Sequence, residues 1–164
     1  MENKEIFGYK YDKNNDKLII DEEQAEVVKA IFDLAATYSL ENDEIYYLCT
    51  KKKTIQDIIS SRLYSIYDKL KEYGFYINNP LTKIDLSKFL SSNNIEEIIN
   101  SLLSIKKKIE NNEDMQFILS KIDKVINLIN QQNHIIKQYG DFEKVSSVIN
   151  EYNIRKGDIL YGKV

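Results

Sequence analysis

The stretch FGYKYDKNNDKLIIDEEQAEVVKAIFDLA, residues 7–35, carries the clearest structural signals in the chain. Aromatic residues alternate with Gly8 and Lys10 at its start, and this period of two predicts a half-buried β-strand. Residues 12–16 are turn formers that tolerate left-handed backbone, and the apolar residues 18–20 predict a return strand. The stretch therefore begins with a β-hairpin.

An amphipathic helix is predicted directly after the hairpin. Asp21 is a typical N-cap residue, and Gln24 three positions later is the partner expected in a capping box. The acidic residues that follow Asp21 favour the positive end of the helix dipole. We expect the helix to end near Tyr38, with a buried face formed by Ala25, Val28, Ile31, Phe32 and Ala35.

The next segment predicts two helices and a second hairpin. A short helix is expected over residues 42–49, and a longer one begins after Thr54 and ends at Gly74, a common C-terminal stop. Residues 75–84 read as strand, turn and strand around Pro80.

Beyond Pro80 the sequence pattern is helical almost throughout. We predict a short helix over residues 85–90, a helix capped by Asn94, and a long helix over residues 113–140. The last two would form an antiparallel helical hairpin. A final helix is predicted after Asp141, followed by a turn at residues 156–158 and a strand at residues 159–161.

Together these patterns predict a mainly α fold with small β-hairpins. The order of short helix, turn, longer helix and hairpin in the first half is compatible with a winged helix-turn-helix head. We expect residues 1–79 to form this head. Residues 81–164 are expected to form a helical bundle with long antiparallel helices and a short C-terminal strand.

Composition limits the classes of function. Hydrophobic residues make up 43% of the chain and charged residues 30%, which is typical of a folded domain. Cys49 is the single cysteine, so the sequence predicts neither an intramolecular disulfide nor a cysteine-based zinc site. Neither a secretory signal nor an apolar run of about 18 residues is recognisable. We expect a cytoplasmic protein without a membrane partner.

Residues 7–34 resemble the opening of the recombinase domain of large serine recombinases, the site-specific integrases and transposases of phages and mobile elements. In that family a glycine–tyrosine element and a short hairpin precede a helix with a regular pattern of acidic, small and apolar residues. The matching positions here are Gly8, Tyr9, Leu18, Ile20, Asp21, Gln24, Ala25, Val28, Lys29, Ile31 and Phe32. The resemblance covers about a sixth of the chain.

The resemblance implies a DNA-binding role of mobile-element origin. It does not extend to the catalytic domain of these recombinases or to their cysteine-rich zinc ribbon. We therefore expect no strand-exchange chemistry.

The net charge of −3 lacks the basic excess of proteins that bind DNA chiefly through phosphates, and this counts against a nucleic-acid function. Three consecutive lysines lie in the turn before a capped helix, where free backbone N–H groups also attract anions. Gln and Arg side chains on that helix are of the types that read adenine and guanine. The candidate DNA-binding residues are Lys51, Lys52, Lys53, Gln56, Ser60 and Arg62. The alternative for the lysines is a solvated loop.

Other reactive groups offer no catalytic arrangement. His134, the single histidine, lies among amide side chains on a helix and is expected at the surface. Cys49 has no nearby base and is expected to be a small buried residue. A second lysine run, residues 106–108, is expected to be a solvent-exposed helix face. We expect no enzymatic activity and no cofactor.

Two functions are compatible with these observations. The first is a non-catalytic DNA-binding protein, or a remnant of a recombinase domain, whose long helices support a homodimer. The alternative is a helical protein–protein interaction module, such as a phage- or plasmid-encoded regulator or inhibitor of a host protein. Its support is the acidic balance and the abundance of tyrosine, with twelve residues in the chain.

Overall fold

A computed structural model describes residues 6–74 and 92–160. The strands are β1 (Tyr9–Asp12) and β2 (Lys17–Ile20), and the helices are α1 (Glu22–Ala36), α2 (Asn42–Cys49), α3 (Ile55–Glu72), α4 (Ser92–Ile109), α5 (Gln116–Tyr139), α6 (Glu143–Glu151) and α7 (Lys156–Leu160). Short 3-10 turns at Glu113–Met115 and Gly140–Phe142 precede α5 and α6. The prediction of a mainly α fold with a small β-hairpin is confirmed.

The hairpin has the predicted position, but its expected burial is wrong. β1 and β2 pair antiparallel, with Tyr9 opposite Ile20 and Tyr11 opposite Leu18. Residues directly opposite each other share one face of the sheet. Tyr9, Tyr11, Leu18 and Ile20 are 48%, 39%, 46% and 56% exposed, respectively, so this face is open rather than half-buried.

The predicted N-cap of α1 is confirmed, whereas the capping box is replaced by a link to the hairpin. The Asp21 side chain accepts a hydrogen bond from the backbone N–H of Gln24 at 3.1 Å. The Gln24 side chain instead accepts from the Gly8 N–H at 2.8 Å, and the Asp21 N–H donates to the Gly8 carbonyl at 2.9 Å. These bonds fasten the base of the hairpin to the start of α1.

The buried face of α1 differs from the prediction. Its buried residues are Gln24, Val27, Ala30, Ile31 and Leu34, whereas Phe32 is 65% exposed. Apolar residues lie on two neighbouring stripes of this helix, and both stripes have helical spacing. The covered stripe continues into Tyr38 and Leu40, which are also buried after the helix ends at Ala36.

The chain divides into two compact units. In the described residues, the first unit combines residues 6–54 with residues 134–160, two segments that are distant in the sequence. Within it α1 packs against α6, and α2 packs against α1, α6 and α7. Its core includes Leu34, Ile45, Leu48, Ile135, Phe142 and Ile149. The predicted boundary at residues 79–81 lies outside the described residues and stays a prediction.

The second unit spans residues 55–133 and is helical in its described part. Its core consists of the apolar faces of α3, α4 and α5, including Ile59, Leu63, Ile66, Ile98, Leu102, Ile105, Ile118, Ile122 and Val125. The Lys106 ammonium lies 2.6 Å from the Asp123 carboxylate. These two residues lie on either side of the connection between α4 and α5, which fits the predicted antiparallel hairpin.

Three local predictions near helix ends are corrected by the structure. Asn94 is not a cap, because α4 already begins at Ser92. The long helix starts at Gln116, after a 3-10 turn that occupies Glu113–Met115. The tail forms α7 instead of a turn and a strand, because the Asp158 side chain accepts from the Arg155 N–H at 3.0 Å and so caps a helical turn.

Other predictions fall outside the described residues. These are the second hairpin at residues 75–84, the short helix at residues 85–90 and Tyr161 of the C-terminal strand. The wing of the winged helix-turn-helix is among them, so that part of the fold stays a prediction. In contrast, the short helix α2 and the end of α3 before Gly74 are confirmed; Gly74 has the left-handed φ of +81° typical of a helix stop.

Candidate nucleic-acid interface

The predicted lysine run forms a tight turn at the end of α2. The backbone N–H of Lys51 donates to the Leu48 carbonyl at 3.0 Å, and those of Lys52 and Lys53 donate to the Tyr47 carbonyl at 2.9 and 3.1 Å. Lys51 has a left-handed φ of +60°. The backbone of the turn is therefore fixed to the helix end, while all three lysine side chains are exposed.

Lys51 differs from its two neighbours because it has an acidic partner. Its ammonium lies 3.5 Å from the carboxylate of Glu143, the first residue of α6. Both side chains are largely exposed, so the pair is screened by solvent and contributes little to stability. Part of the Lys51 charge is nevertheless balanced within the protein.

Lys52 and Lys53 lie against aromatic rings of α2. The Lys52 ammonium is 5.2 Å from the ring centroid of Tyr46 and 3.5 Å from its hydroxyl oxygen. The Lys53 ammonium is 4.7 Å from the ring centroid of Tyr47. The two rings are 5.7 Å apart in an edge-to-face arrangement with an interplanar angle of 67°.

A third lysine reaches the same place from the other end of the chain. Lys156, in the first turn of α7, donates a hydrogen bond to the Tyr47 hydroxyl at 2.9 Å, and its ammonium is 4.7 Å from the Tyr47 ring centroid. The five residues Tyr46, Tyr47, Lys52, Lys53 and Lys156 are called the lysine–tyrosine cluster below. All five belong to the first unit.

The contact between Tyr47 and Lys156 changes the titration of both groups in the directions expected of a phenol beside an ammonium. The hydrogen bond and charge of Lys156 lower the pKa of Tyr47, and the charge of Lys53 acts in the same direction. The hydrogen bond to Tyr47 raises the pKa of Lys156, with a further contribution from the negative charge of Asp43. Lys156 is therefore held in its charged form.

Helix α2, which carries both tyrosines of the cluster, is held in place by its buried inner face. Ile45, Leu48 and Cys49 form the inner face of α2 and are all buried, as the sequence predicted for Cys49. The Thr50 hydroxyl closes the end of the helix by donating to the Tyr46 carbonyl at 2.7 Å. Tyr46 and Tyr47 consequently remain half-buried at the outer side of a fixed helix.

The other predicted contact residues belong to α3, in the second unit. Gln56 is exposed, whereas Ser60 and Arg62 are half-buried. Gln56 and Ser60 lie one turn apart on one side of the helix. Arg62 is rotated by about 200° from Ser60, because each residue advances an α-helix by about 100°. The three side chains therefore do not share one face of α3, and their contact with DNA stays a prediction.

Sequence reasoning missed Lys156, and it included Tyr46 and Tyr47 only through the general abundance of tyrosine. Lys156 is 103 positions after Lys53, and its segment was expected to be a turn and a strand. No local signal could have found it, since its position depends on the packing of α7 against α2.

The remaining reactive groups have the environments that the sequence predicted. Cys49 is fully buried, and burial raises the pKa of its thiol to about 12, so the thiol is not a nucleophile near neutral pH. His134 is exposed.

Within residues 6–74 and 92–160, no group of three or more His, Cys, Asp or Glu side chains could hold a metal ion. No helix in the same ranges has the length and apolar character needed to cross a membrane.

Comparison with known proteins identifies no relative of this chain. Neither a family model, nor a curated protein, nor a solved structure matches it. The resemblance to the recombinase domain therefore rests on residues 7–34 alone.

Proposed function

We propose that this protein binds DNA without catalysing a reaction, and that the lysine–tyrosine cluster contacts the phosphates. The observation that supports the proposal is the meeting of three ammonium groups at two tyrosine rings in a chain of net charge −3. The described partners of these lysines are tyrosines rather than carboxylates. Their positive charge is therefore available to an external anion.

The lysines of the cluster are near enough to contact one polyanion together. Lys53 and Lys156 are each 4.7 Å from the same ring centroid, so their ammonium groups are no more than about 9 Å apart. Lys52 extends the positive surface along the neighbouring ring of Tyr46. Three lysines at two neighbouring rings can neutralise phosphates of a backbone and release their counterions.

The hairpin and α1 support the same class of function through their resemblance to recombinases. On this proposal the protein is a recombinase-domain-like remnant from a phage or mobile element, and it acts in the cytoplasm. Gly8, Asp21 and Gln24, three of the matching residues, form the hydrogen bonds that join the hairpin to α1. Their match to the family pattern therefore has a structural explanation as well.

A duplex titration tests the proposal. A fluorescein-labelled 20-base-pair DNA is titrated with the wild-type protein and with the double variant Lys52→Glu, Lys53→Glu, and anisotropy is recorded between 25 and 200 mM salt. We expect the variant to bind at least tenfold more weakly. The slope of log K against log salt concentration should fall by about 2 in magnitude, since each lost phosphate contact reduces this slope by about 0.9.

The matched control is the double variant Lys107→Glu, Lys108→Glu, which makes the same charge change at two exposed lysines of α4. It should bind DNA within about twofold of wild type. Absence of wild-type binding at 25 mM salt would refute the proposal. Equal weakening by both double variants would show that net charge, rather than the cluster, controls binding.

The open face of the hairpin favours a second candidate function, which is association with another copy of this chain. Tyr9, Tyr11, Leu18 and Ile20 form an exposed aromatic and aliphatic patch on paired strands. An isolated two-stranded hairpin is marginally stable in water, and a second hairpin packed on its apolar face would stabilise it. Four side chains bury much less than the roughly 800 Å² per partner of a standard interface, so the dimer would be weak.

Sedimentation velocity over 5–500 µM protein tests this second candidate. We expect the weight-average sedimentation coefficient of wild type to rise with concentration, and the double variant Tyr9→Ser, Ile20→Ser to remain monomeric. Phe32→Ser, which removes an exposed ring from α1, is the control and should behave as wild type. A wild-type protein that stays monomeric at 500 µM would remove this candidate.

A further inference from the structure

The tyrosine rings of the cluster have no role in binding phosphates alone. A group of lysines would be sufficient to bind phosphates, yet each lysine of the cluster approaches an aromatic side chain. Tyr46 and Tyr47 are adjacent in sequence, only half-buried, and inclined to each other by 67°. Their faces therefore point in different directions at the surface of the first unit.

Aromatic side chains beside a positive surface are the typical arrangement for binding unpaired bases. Each base has a π-face that can stack on an aromatic ring, whereas the bases of a duplex are already stacked on each other. In a duplex only the phosphates and the groove edges remain accessible to a protein.

We infer that the lysine–tyrosine cluster binds single-stranded nucleic acid in preference to duplex. Bases stack on Tyr46 and Tyr47, and the flanking phosphates pair with Lys52, Lys53 and Lys156. This inference rests on the proposed DNA-binding function and specifies its substrate class.

The lysines can leave the rings at small cost when a strand binds. A cation–π contact at an exposed site contributes about two- to fivefold to an equilibrium constant. Stacking of one base on an aromatic side chain contributes about 5- to 160-fold. Stacking of a base therefore offsets the loss of the single cation–π contact at Tyr46, and the new phosphate contacts of Lys53 and Lys156 add to stacking at Tyr47, where two such contacts are lost.

The rings are also held in position before the strand arrives. α2 is anchored by its buried inner face. The edge-to-face contact between the two tyrosines further restricts both rings. Preorganisation of this kind reduces the entropy that is lost on binding.

The test compares a fluorescein-labelled 20-nucleotide oligo-dT with a 20-base-pair duplex at 50 mM salt. We expect wild type to bind oligo-dT at least tenfold more tightly than duplex. The double variant Tyr46→Ala, Tyr47→Ala should lose this preference, because its binding of oligo-dT falls more than its binding of duplex. Tyr47→Phe keeps the ring and removes the hydroxyl, so it should retain the preference.

A second readout reports stacking directly. The chain contains no tryptophan, so its intrinsic fluorescence comes from tyrosine. Oligo-dT should quench this emission in wild type and quench it less in the double variant. Tyr73→Ala, a change at a 50% exposed tyrosine of the second unit, is the control and should leave both readouts unchanged. Circular dichroism melting establishes that every variant is folded.

The outcomes separate this inference from the function on which it rests. If duplex binds as tightly as oligo-dT, or if the tyrosine double variant keeps the wild-type preference, the inference is refuted while DNA binding stands. If neither nucleic acid binds wild type at 50 mM salt, the proposed function itself fails.

Discussion

Cys49 makes the folded state sensitive to alkaline pH, and the size of the effect can be calculated. Its side chain is fully buried, and burial raises the pKa of the thiol from 9.0 to about 12. In the unfolded chain the thiol ionises above about pH 9, whereas in the folded chain it stays protonated up to about pH 12. The stabilisation associated with this residue is therefore complete below pH 9 and is lost progressively between pH 9 and pH 12.

At pH 11 the unfolded thiol is about two pH units above its pKa, while the folded thiol is still protonated. Because one pKa unit corresponds to about 1.4 kcal/mol, the unfolded state gains about 2–3 kcal/mol relative to neutral pH. Cys49→Ala removes the thiol and with it this contribution of thiol ionisation to the pH dependence of stability. Its free energy of unfolding at neutral pH should be lower than that of wild type, because the sulfur atom no longer fills the core.

Urea unfolding, followed by circular dichroism with a phosphine reductant at pH 7.5, 9, 10 and 11, measures the effect. Both proteins should lose stability with rising pH, because burial also raises the pKa of Tyr38, Tyr67 and Tyr139. The free energy of unfolding of wild type minus that of Cys49→Ala should decrease by about 2–3 kcal/mol from pH 7.5 to pH 11. A difference that is constant over this range would refute the reasoning.

Three further predictions concern the first unit, and urea unfolding at neutral pH measures each. Asp21→Ala removes the N-cap of α1 and should lower the free energy of unfolding by about 1 kcal/mol. Leu34→Ala should cost about 2–5 kcal/mol because Leu34 is fully buried, whereas Phe32→Ser should stay within about 0.5 kcal/mol of wild type because Phe32 is 65% exposed. Tyr139→Phe removes a hydrogen bond to the Asp33 carboxylate and should cost about 1–3 kcal/mol; a cost below 0.5 kcal/mol would show that this bond does not join α5 to α1.

The sequence predicted helices well where a single apolar stripe was present. The inner face of α2 and the buried residues Ile55, Ile59, Leu63, Ile66 and Leu70 of α3 follow directly from helical spacing. α1 was harder, because apolar residues lie on two adjacent stripes and only tertiary packing selects between them. The burial of Ile31 but not Phe32 shows how one residue of rotation changes the assignment.

The candidate site was predicted only in part, because tertiary packing decides which side chains meet there. Consecutive lysines after α2 were visible in the sequence, and the structure places all three at the surface. Their partners were not visible, because pairing with Tyr46, Tyr47 and Glu143 depends on how side chains and distant helices pack. Lys156 is the clearest example, since it becomes part of the cluster only when α7 packs against α2.

The slightly negative net charge does not argue against a local polyanion site. At physiological ionic strength the Debye length is about 8 Å, so charges further away contribute little to the potential at an exposed group. Lys53 and Lys156 approach the same ring, and Lys52 approaches the neighbouring ring, so the three ammonium groups contribute to the potential at one place on the surface. Among the nearer acidic groups, Glu143 is paired with Lys51, and Asp43 raises the pKa of Lys156 and so favours its charged form. Total charge therefore governs long-range attraction, whereas the strand binding that we propose would depend on the few lysines that the fold brings to one pair of rings.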